Sequence, residues 1–375
     1  MQTTAAFRGL SCTACDESAD PDEARCPDCG GVLAPEYDAD EVASADDARP
    51  FPTDAAVSID EGATPLVAVP TLAAELGVAS AAVKDEGRNP TGSLADRKLA
   101  LAVSAAVQQG AERVATPSPG NGAQAAAAYA ARAAVDSKGF VPSRCPFLNK
   151  AMVNVHGGDM YVVEGRYPDA VAAFEDSDET FTSVAPGHPF RVAGGMALAL
   201  ELLADRAWTA PDAVVHPTGH GETVVGLERG FALAAAAGLV DAVPRLYAAQ
   251  PESSAPIADA VRDGVADPTP VDHPDTIVGP LEIPDPAAGA AAVEALQATD
   301  GGAVAVPDED VLQGAVDGCE MGPEVGATGG TAVAGVRVLA DRDAFAPDED
   351  VVLVNPVAGS KEADLLRSHL MSQGL

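Results

Sequence analysis

From Glu61 onward, short apolar runs alternate with long alanine-rich blocks, and this alternation limits the possible folds more than any other feature of the chain. Residues 66–69, 81–84, 160–163, 213–216 and 351–354 read as strands. Residues 96–109, 123–134 and 224–236 read as helices. Parallel strands need long crossovers, usually helical, so the pattern predicts an α/β fold with parallel sheets. The 375 residues suffice for two or three compact units with ample core. An aromatic content of 4% suits helices packed closely through alanine.

Charge narrows the partners. The 57 Asp and Glu against 22 Lys and Arg leave a formal net charge of −35, spread along the chain rather than gathered in a tail. Nucleic acid and anionic membrane would be repelled, so neither is expected as a partner. A disordered acidic chain is the bland alternative, but 47% hydrophobic residues and clear helical blocks speak against it. A carboxylate-dense surface suits a protein adapted to high salt, where screening removes self-repulsion. Residues 1–10 lack a basic segment followed by an apolar core, and no apolar run is long enough for a bilayer. A soluble, cytoplasmic protein is expected.

The cysteines divide into four and two. Cys12 and Cys15 form one C-x-x-C pair and Cys26 and Cys29 another, with Gly30 and Gly31 following. Four thiolates on two knuckles suit tetrahedral zinc, and glycine allows the tight path of the knuckle. A structural zinc ribbon over residues 1–38 is expected, its closed coordination leaving no position for chemistry. A pair of redox dithiols is the rival reading, although neither pair sits in a βαβ pattern. Cys145 and Cys319 are isolated and read as small interior thiols. Residues 39–58, acidic at first and then carrying Pro50 and Pro52, read as a linker.

One segment carries the chemistry. Residues 84–98 read K-D-E-G-R-N-P-T-G-S-L-A-D-R-K. This resembles the segment K-D-E-x-x-N-P-T-G-S-F-K-D-R of threonine synthases and other fold-type II pyridoxal-phosphate (PLP) enzymes. The lysine that carries the cofactor in that family corresponds to Ala95 here. Further stretches resemble the family in its order. E-G-A-T-P-L-V at 61–67 is similar to G-x-T-P-L, and S-P-G-N-G at 118–122 to S-x-G-N. P-F-R-V-A-G-G-M at 189–196 resembles N-P-x-R-x-E-G-x-K, and P-T-G-H-G-E-T at 217–223 resembles the glycine-rich phosphate loop. Residues 243–250 resemble the strand after that loop. The ribbon is similar to that of some threonine and cysteate synthases.

The resemblance implies a two-lobed fold-type II domain over 59–375, with a nested small lobe at about 98–187, and PLP as cofactor. It implies phosphate binding by Thr218, Gly219, His220, Gly221 and Thr223, and places Ser93 among the cofactor-binding residues. Glycines at a strand-to-helix turn let backbone N–H groups converge on an anion. Asn121 matches the residue on the 3′-oxygen of the ring. Ser118 and Gly120 belong to the turn that grips the substrate carboxylate, and the same residues suit a plain helix N-cap. Ser360 and Asn355 are the candidates for the pyridine nitrogen, or else residues of a strand-ending turn.

Departures cluster at the site. Glu222 stands where the family often has a small residue, and Ala193 and Met196 stand at its acidic and lysine positions. Only five lysines exist, Lys84, Lys98, Lys138, Lys150 and Lys361. Lys98 lies one helical turn past Ala95 and is the candidate replacement amine, or else an exposed first-turn residue beside Arg97. His156, His188, His216 and His220 show no metal-ligand spacing, although His220 lies within the glycine loop.

Two readings follow. One is a threonine synthase-like lyase or replacement enzyme acting on a small amino acid, with or without a phosphate leaving group. The other is an inactive homologue that binds an amino acid or phosphorylated ligand, or regulates a paralogous enzyme. An enzyme using a different phosphate-bearing cofactor is a third. A homodimer is one assembly open to the chain.

Overall fold

The computed structural model describes residues 1–374. In chain order the strands are β1 (Phe7–Cys12), β2 (Ser18–Ala19), β3 (Leu33–Tyr37), β4 (Leu66–Ala68), β5 (Ser80–Asp85), β6 (Arg113–Pro117), β7 (Asp136–Pro142), β8 (Asp159–Val163), β9 (Thr182–Ser183), β10 (Ala213–Pro217), β11 (Arg245–Pro251), β12 (Gly302–Val306) and β13 (Asp350–Asn355). The helices are α1 (Pro70–Leu76), α2 (Ala95–Gln108), α3 (Asn121–Ala133), α4 (Phe147–Val155), α5 (Tyr167–Glu175), α6 (Pro189–Asp205), α7 (Glu222–Ala236), α8 (Pro256–Asp263), α9 (Gly289–Ala298), α10 (Asp308–Glu320), α11 (Ala327–Ala340) and α12 (Ala363–Ser372). None is long and apolar enough to cross a membrane among the described residues.

The chain divides into two compact units. The first comprises Met1–Gly62, Ala95–Glu201 and Val225–Val240; the second comprises Ala63–Leu94, Leu202–Val224 and the residues from Asp241 onward.

The first unit holds an antiparallel sheet, β2-β1-β3, and a parallel sheet, β8-β7-β6-β9. Its core forms where α2 meets α3. Leu99, Ala102, Val103 and Ala106 interlock with Ala126, Tyr129 and Ala130, all buried. Alanine favours the helical state and keeps the two helices close. Residues 39–58 do not run free. Val42 and Ala48 are buried, Phe51 stacks on Phe190 at 4.9 Å between ring centroids, and the Val57 N–H donates to Ser104 Oγ at 2.8 Å. The acidic residues face water while a few apolar anchors hold the backbone down, and composition alone does not reveal the anchors.

The second unit is built on one sheet in the order β12-β11-β10-β13-β5-β4. All pairs are parallel except β4 with β5. Val83, Val215, Ala249, Val304, Val333 and Leu353 are among its core residues. The parallel registers bring the carboxyl ends of β11, β10, β13 and β5 to one edge. Ligands of open α/β sheets bind at such an edge.

Candidate cofactor site and metal centre

The four ribbon cysteines converge. Sγ separations are 3.5 Å for Cys12–Cys29 and Cys15–Cys29, and 3.7 Å for Cys15–Cys26. All four ligand atoms lie within 4.8 Å of one another, and all four thiols are free. Tetrahedral zinc with Zn–S bonds of about 2.3 Å sets its sulfurs about 3.8 Å apart, so the cluster fits one metal ion. Gly31 is required by space, since a Cβ there would stand 2.9 Å from Cys12 Sγ and 3.2 Å from Cys29 Sγ. Gly30 has φ +74°, the left-handed conformation that closes the knuckle. The Cys29 backbone N–H, donating to Cys26, is the main cause that brings that thiol down to about 7, whereas at Cys15 and Cys29 the backbone donors are outweighed by the thiol–thiol hydrogen bonds, which raise both.

In the second unit, β10 ends at Pro217 and residues 218–221 turn into α7. The Thr218 N–H donates to Ala249 O at 2.9 Å, extending the ladder with β11 by one step. His220 is fixed at both ends. Its carbonyl accepts the Ala288 N–H at 2.9 Å and its Nδ1 accepts the Ala287 N–H at 3.3 Å. Gly221 has φ +86°, and a Cβ there would lie 2.8 Å from Ala288 O and Ala292 Cβ. No other residue closes this turn without displacing α9. Glu222 does not face water. It is 1% exposed in the first turn of α7, where the helix dipole favours a carboxylate.

The neighbouring strand ends complete this edge. Asn355 closes β13 and is buried; its Nδ2 donates to Asp85 Oδ1 at 2.8 Å and to Glu324 O at 3.1 Å. Burial pushes the Asp85 carboxyl up. Asn355 Oδ1 and the buried Ser93 Oγ have no hydrogen-bond partner among the described residues. Ser93 pairs with Val357 in an isolated bridge, and the Leu94 N–H donates to Pro356 O at 2.8 Å, so the N-P-T-G-S run is stapled beside β13. Ser360 is exposed, and only its backbone N–H is engaged here, by Glu324 Oε1 at 2.6 Å. Of the two candidates for the ring nitrogen, Asn355 is therefore inside and Ser360 outside.

The K-D-E run is a structural clamp. Lys84 and Glu86 are both buried. Lys84 Nζ donates to Thr64 O at 2.6 Å and to Asp205 Oδ2 at 2.7 Å. Glu86 accepts from Thr64 Oγ1 at 2.5 Å and from Asn89 Nδ2 at 2.7 Å. The motif thus ties the T-P-L segment to the N-P-T-G-S loop, a link that one sequence does not display.

In the first unit, Ala95 opens α2 and packs, half-buried, against the α2–α3 core. Arg97 is not an exposed first-turn residue. It is buried in a two-pronged pair with Glu201, both bonds at 2.8 Å. Lys98 is half-buried, with its Cα and Cγ each 2.9 Å from where a Cβ on Gly194 would stand. Its stem therefore lies along α6. Lys361 Nζ donates to Thr91 O at 2.8 Å, Lys150 Nζ donates to Ser143 O at 2.8 Å, and Lys138 pairs with Glu179. Ala193 and Met196 are buried in α6 and serve packing.

The S-P-G-N turn is also ordered in this unit. Ser118 Oγ accepts the Gly120 N–H at 3.0 Å, and Asn121 begins α3. Asn149 Nδ2 donates to Asn121 Oδ1 at 2.9 Å, which turns the Asn121 amide donors the other way.

PLP can be tested against these residues. The glycine turn at a helix N-terminus suits a phosphate, and the buried Ser93 Oγ, without a hydrogen-bond partner among the described residues, suits a polar ligand, whereas Asn355 Oδ1 is packed against Gly329 of α11. At the position that resembles the family's cofactor lysine, Ala95 offers no amine.

Comparisons agree with this fold. The sequence profile of the family described as "Pyridoxal-phosphate dependent enzyme" matches residues 57–357. Threonine synthase of Methanosarcina acetivorans is 31% identical over 302 residues, 80% of this chain and 75% of that protein. Threonine synthase of Methanocaldococcus jannaschii is 30% identical over 312 residues, covering 82% and 77%. Among solved structures, an L-serine ammonia-lyase from Rhizomucor miehei superposes with TM-score 0.72 at 21% identity, covering 84% of this chain and 99% of that one. Threonine deaminase isoform 2 from Solanum lycopersicum gives 0.68 at 19%, covering 83% of each. These two likenesses concern the fold. On the strength of the profile and the threonine synthase relatives, the chain belongs to the pyridoxal-phosphate-dependent enzyme family, in its fold-type II, threonine synthase-like branch.

Proposed function

We propose that the chain is a cytoplasmic, threonine synthase-like lyase or replacement enzyme whose substrate is a small amino acid, with or without a phosphate leaving group. The observation that carries this reading is the 218–221 turn, closed by Gly221 and running into α7 at the carboxyl edge of the sheet. When bound, PLP supplies an electron sink for a carbanion at the substrate Cα. The turn amides would bind its phosphate, Asn121 Nδ2 would donate to its ring oxygen, and the Ser118–Gly120 turn would orient the substrate carboxylate. Lys98 Nζ would be the amine that holds the cofactor and moves the Cα proton. The four-cysteine ribbon holds structural zinc and takes no part in the chemistry.

A second reading has specific observations behind it. Ala95 replaces the family lysine, and buried Glu222 puts a carboxylate beside the phosphate turn. Both favour a homologue that binds an amino acid or phosphorylated ligand without turning it over.

One experiment divides the two. The protein is mixed with PLP in high salt, reduced with borohydride, and mapped by peptide mass spectrometry, beside Lys98→Ala. The enzyme reading expects a reduced adduct on the peptide holding Lys98 that disappears in the variant. An absence of any adduct, with no spectral response to added amino acids, would leave the ligand-binding reading standing alone.

A further inference from the structure

Gln250 is fully buried, and both ends of its amide are engaged. Its Oε1 accepts the backbone N–H groups of Ile257 at 2.9 Å and Ala258 at 3.0 Å. These are first-turn donors of α8, whose N-cap, Ala255, has no side-chain acceptor. A backbone N–H can only donate, so the oxygen must face α8 and the nitrogen must face the other way. There Gln250 Nε2 donates to Thr218 O at 3.0 Å.

This last bond acts on the glycine turn. Thr218 is held from β11 twice, by its N–H on Ala249 O and by its carbonyl on Gln250. The peptide bond is planar and trans, so its C=O and the following N–H point in opposite directions. Holding the Thr218 carbonyl toward Gln250 therefore aims the Gly219 N–H away from β11. The next residue is fixed independently, by the bonds of His220 to Ala287 and Ala288. A preset donor needs no reorganisation when an anion arrives.

We propose that Gln250 is the positioning residue of this turn: its amide locks the Thr218–Gly219 peptide so that the turn presents its N–H groups to a phosphate. This rests on the reading of residues 218–221 as a phosphate cradle.

Gln250→Glu is the informative change. At a pH high enough to ionise this buried carboxyl, it still caps α8, yet it has no donor for Thr218 O and repels that carbonyl. Protein labelled with 15N-glycine is titrated with inorganic phosphate, following the Gly219 and Gly221 amide signals, and its melting temperature is recorded. In the unaltered chain, phosphate should move both signals. In Gln250→Glu the Gly219 signal should already be displaced without ligand, and binding should weaken about tenfold, the scale of one misdirected charge-assisted hydrogen bond. Gln250→Met, which also strips the α8 cap, should lower the melting temperature further than Gln250→Glu does. A Gln250→Glu variant that binds phosphate as the unaltered chain does, or an unaltered turn that ignores phosphate, would overturn the proposal. Failure of the enzyme reading looks different: phosphate moves Gly219 while PLP leaves no reducible adduct.

Discussion

Ala95 stands at the position that resembles the family's cofactor lysine, where one side chain would separate a covalent cofactor site from a merely polar one. Its Cβ packs at the rim of the α2–α3 core, and α2 begins with it. A lysine here would lay its stem over that rim and carry its ammonium outward, as long cationic side chains do. The double variant Ala95→Lys/Lys98→Ala is therefore expected to form a borohydride-reducible adduct with PLP, mapped to residue 95, at little cost in melting temperature. If the peptide stays unmodified at saturating PLP, the turn and its neighbours do not hold the cofactor in a reactive position. The motif around Ala95 is long enough for its likeness to the family segment to be read from the sequence alone. The surroundings of its neighbours could not be read this way. Arg97 looked like a surface residue, yet its partner Glu201 lies 104 positions away. Lys84 likewise depends on Asp205. A buried ion pair is visible only when both halves are in view.

Elements built on short-range geometry were easier to read. The ribbon follows from two C-x-x-C knuckles and two glycines, all within residues 12–31. Its sulfur cluster gives a sharp expectation. Gly31→Ala drives a methyl group to 2.9 Å from Cys12 Sγ, so the knuckle must shift. Overpacking of this kind costs about 1–3 kcal/mol, and metal binding and ribbon folding are coupled. Zinc should therefore exchange to a chromogenic chelator at least about tenfold more readily than from the unaltered chain. Equal retention in the two proteins would mean that the cluster does not bind metal as a tetrahedral set. Residues 66–69 and 351–354 were recognisable as strands because their apolar runs are clean. In β6 and β7 the run is broken by proline, threonine, charge or glycine, and the sheet itself supplies the pattern. The tight turn at 218–221 was legible from its glycines. Gln250 was not, because its meaning lies in Thr218, 32 positions earlier, and in a helix that lacks its own cap.

For the whole molecule, charge is the property that the fold does not explain. A net charge of −35 repels itself in the compact state more than in an expanded one. Exposed pairs do little to offset this. Arg262 with Asp259, at 66% and 43% side-chain exposure, is of the kind that contributes only about 0–1 kcal/mol. The pairs Lys84–Asp205 and Arg97–Glu201 each join a buried cation to a carboxylate still partly open to water, at 32% and 19% exposure, so salt weakens them less than fully exposed pairs. Added salt therefore removes a large repulsion and few attractions, and the screening length falls from about 10 Å at 0.1 M to about 3 Å at 1 M. The melting temperature should climb steeply as KCl rises from about 0.1 M to about 1 M, where screening still changes. Above that range the slope should depend on the identity of the salt, sulfate raising the curve further than chloride through surface exclusion. Sucrose, which is excluded but carries no charge, should not reproduce the steep low-salt limb. A melting temperature that stays flat or falls across that limb would mean that the carboxylates are already neutralised in the folded protein, by bound cations or by raised proton affinity. The acidic surface would then be a solubility feature rather than an adaptation to salt.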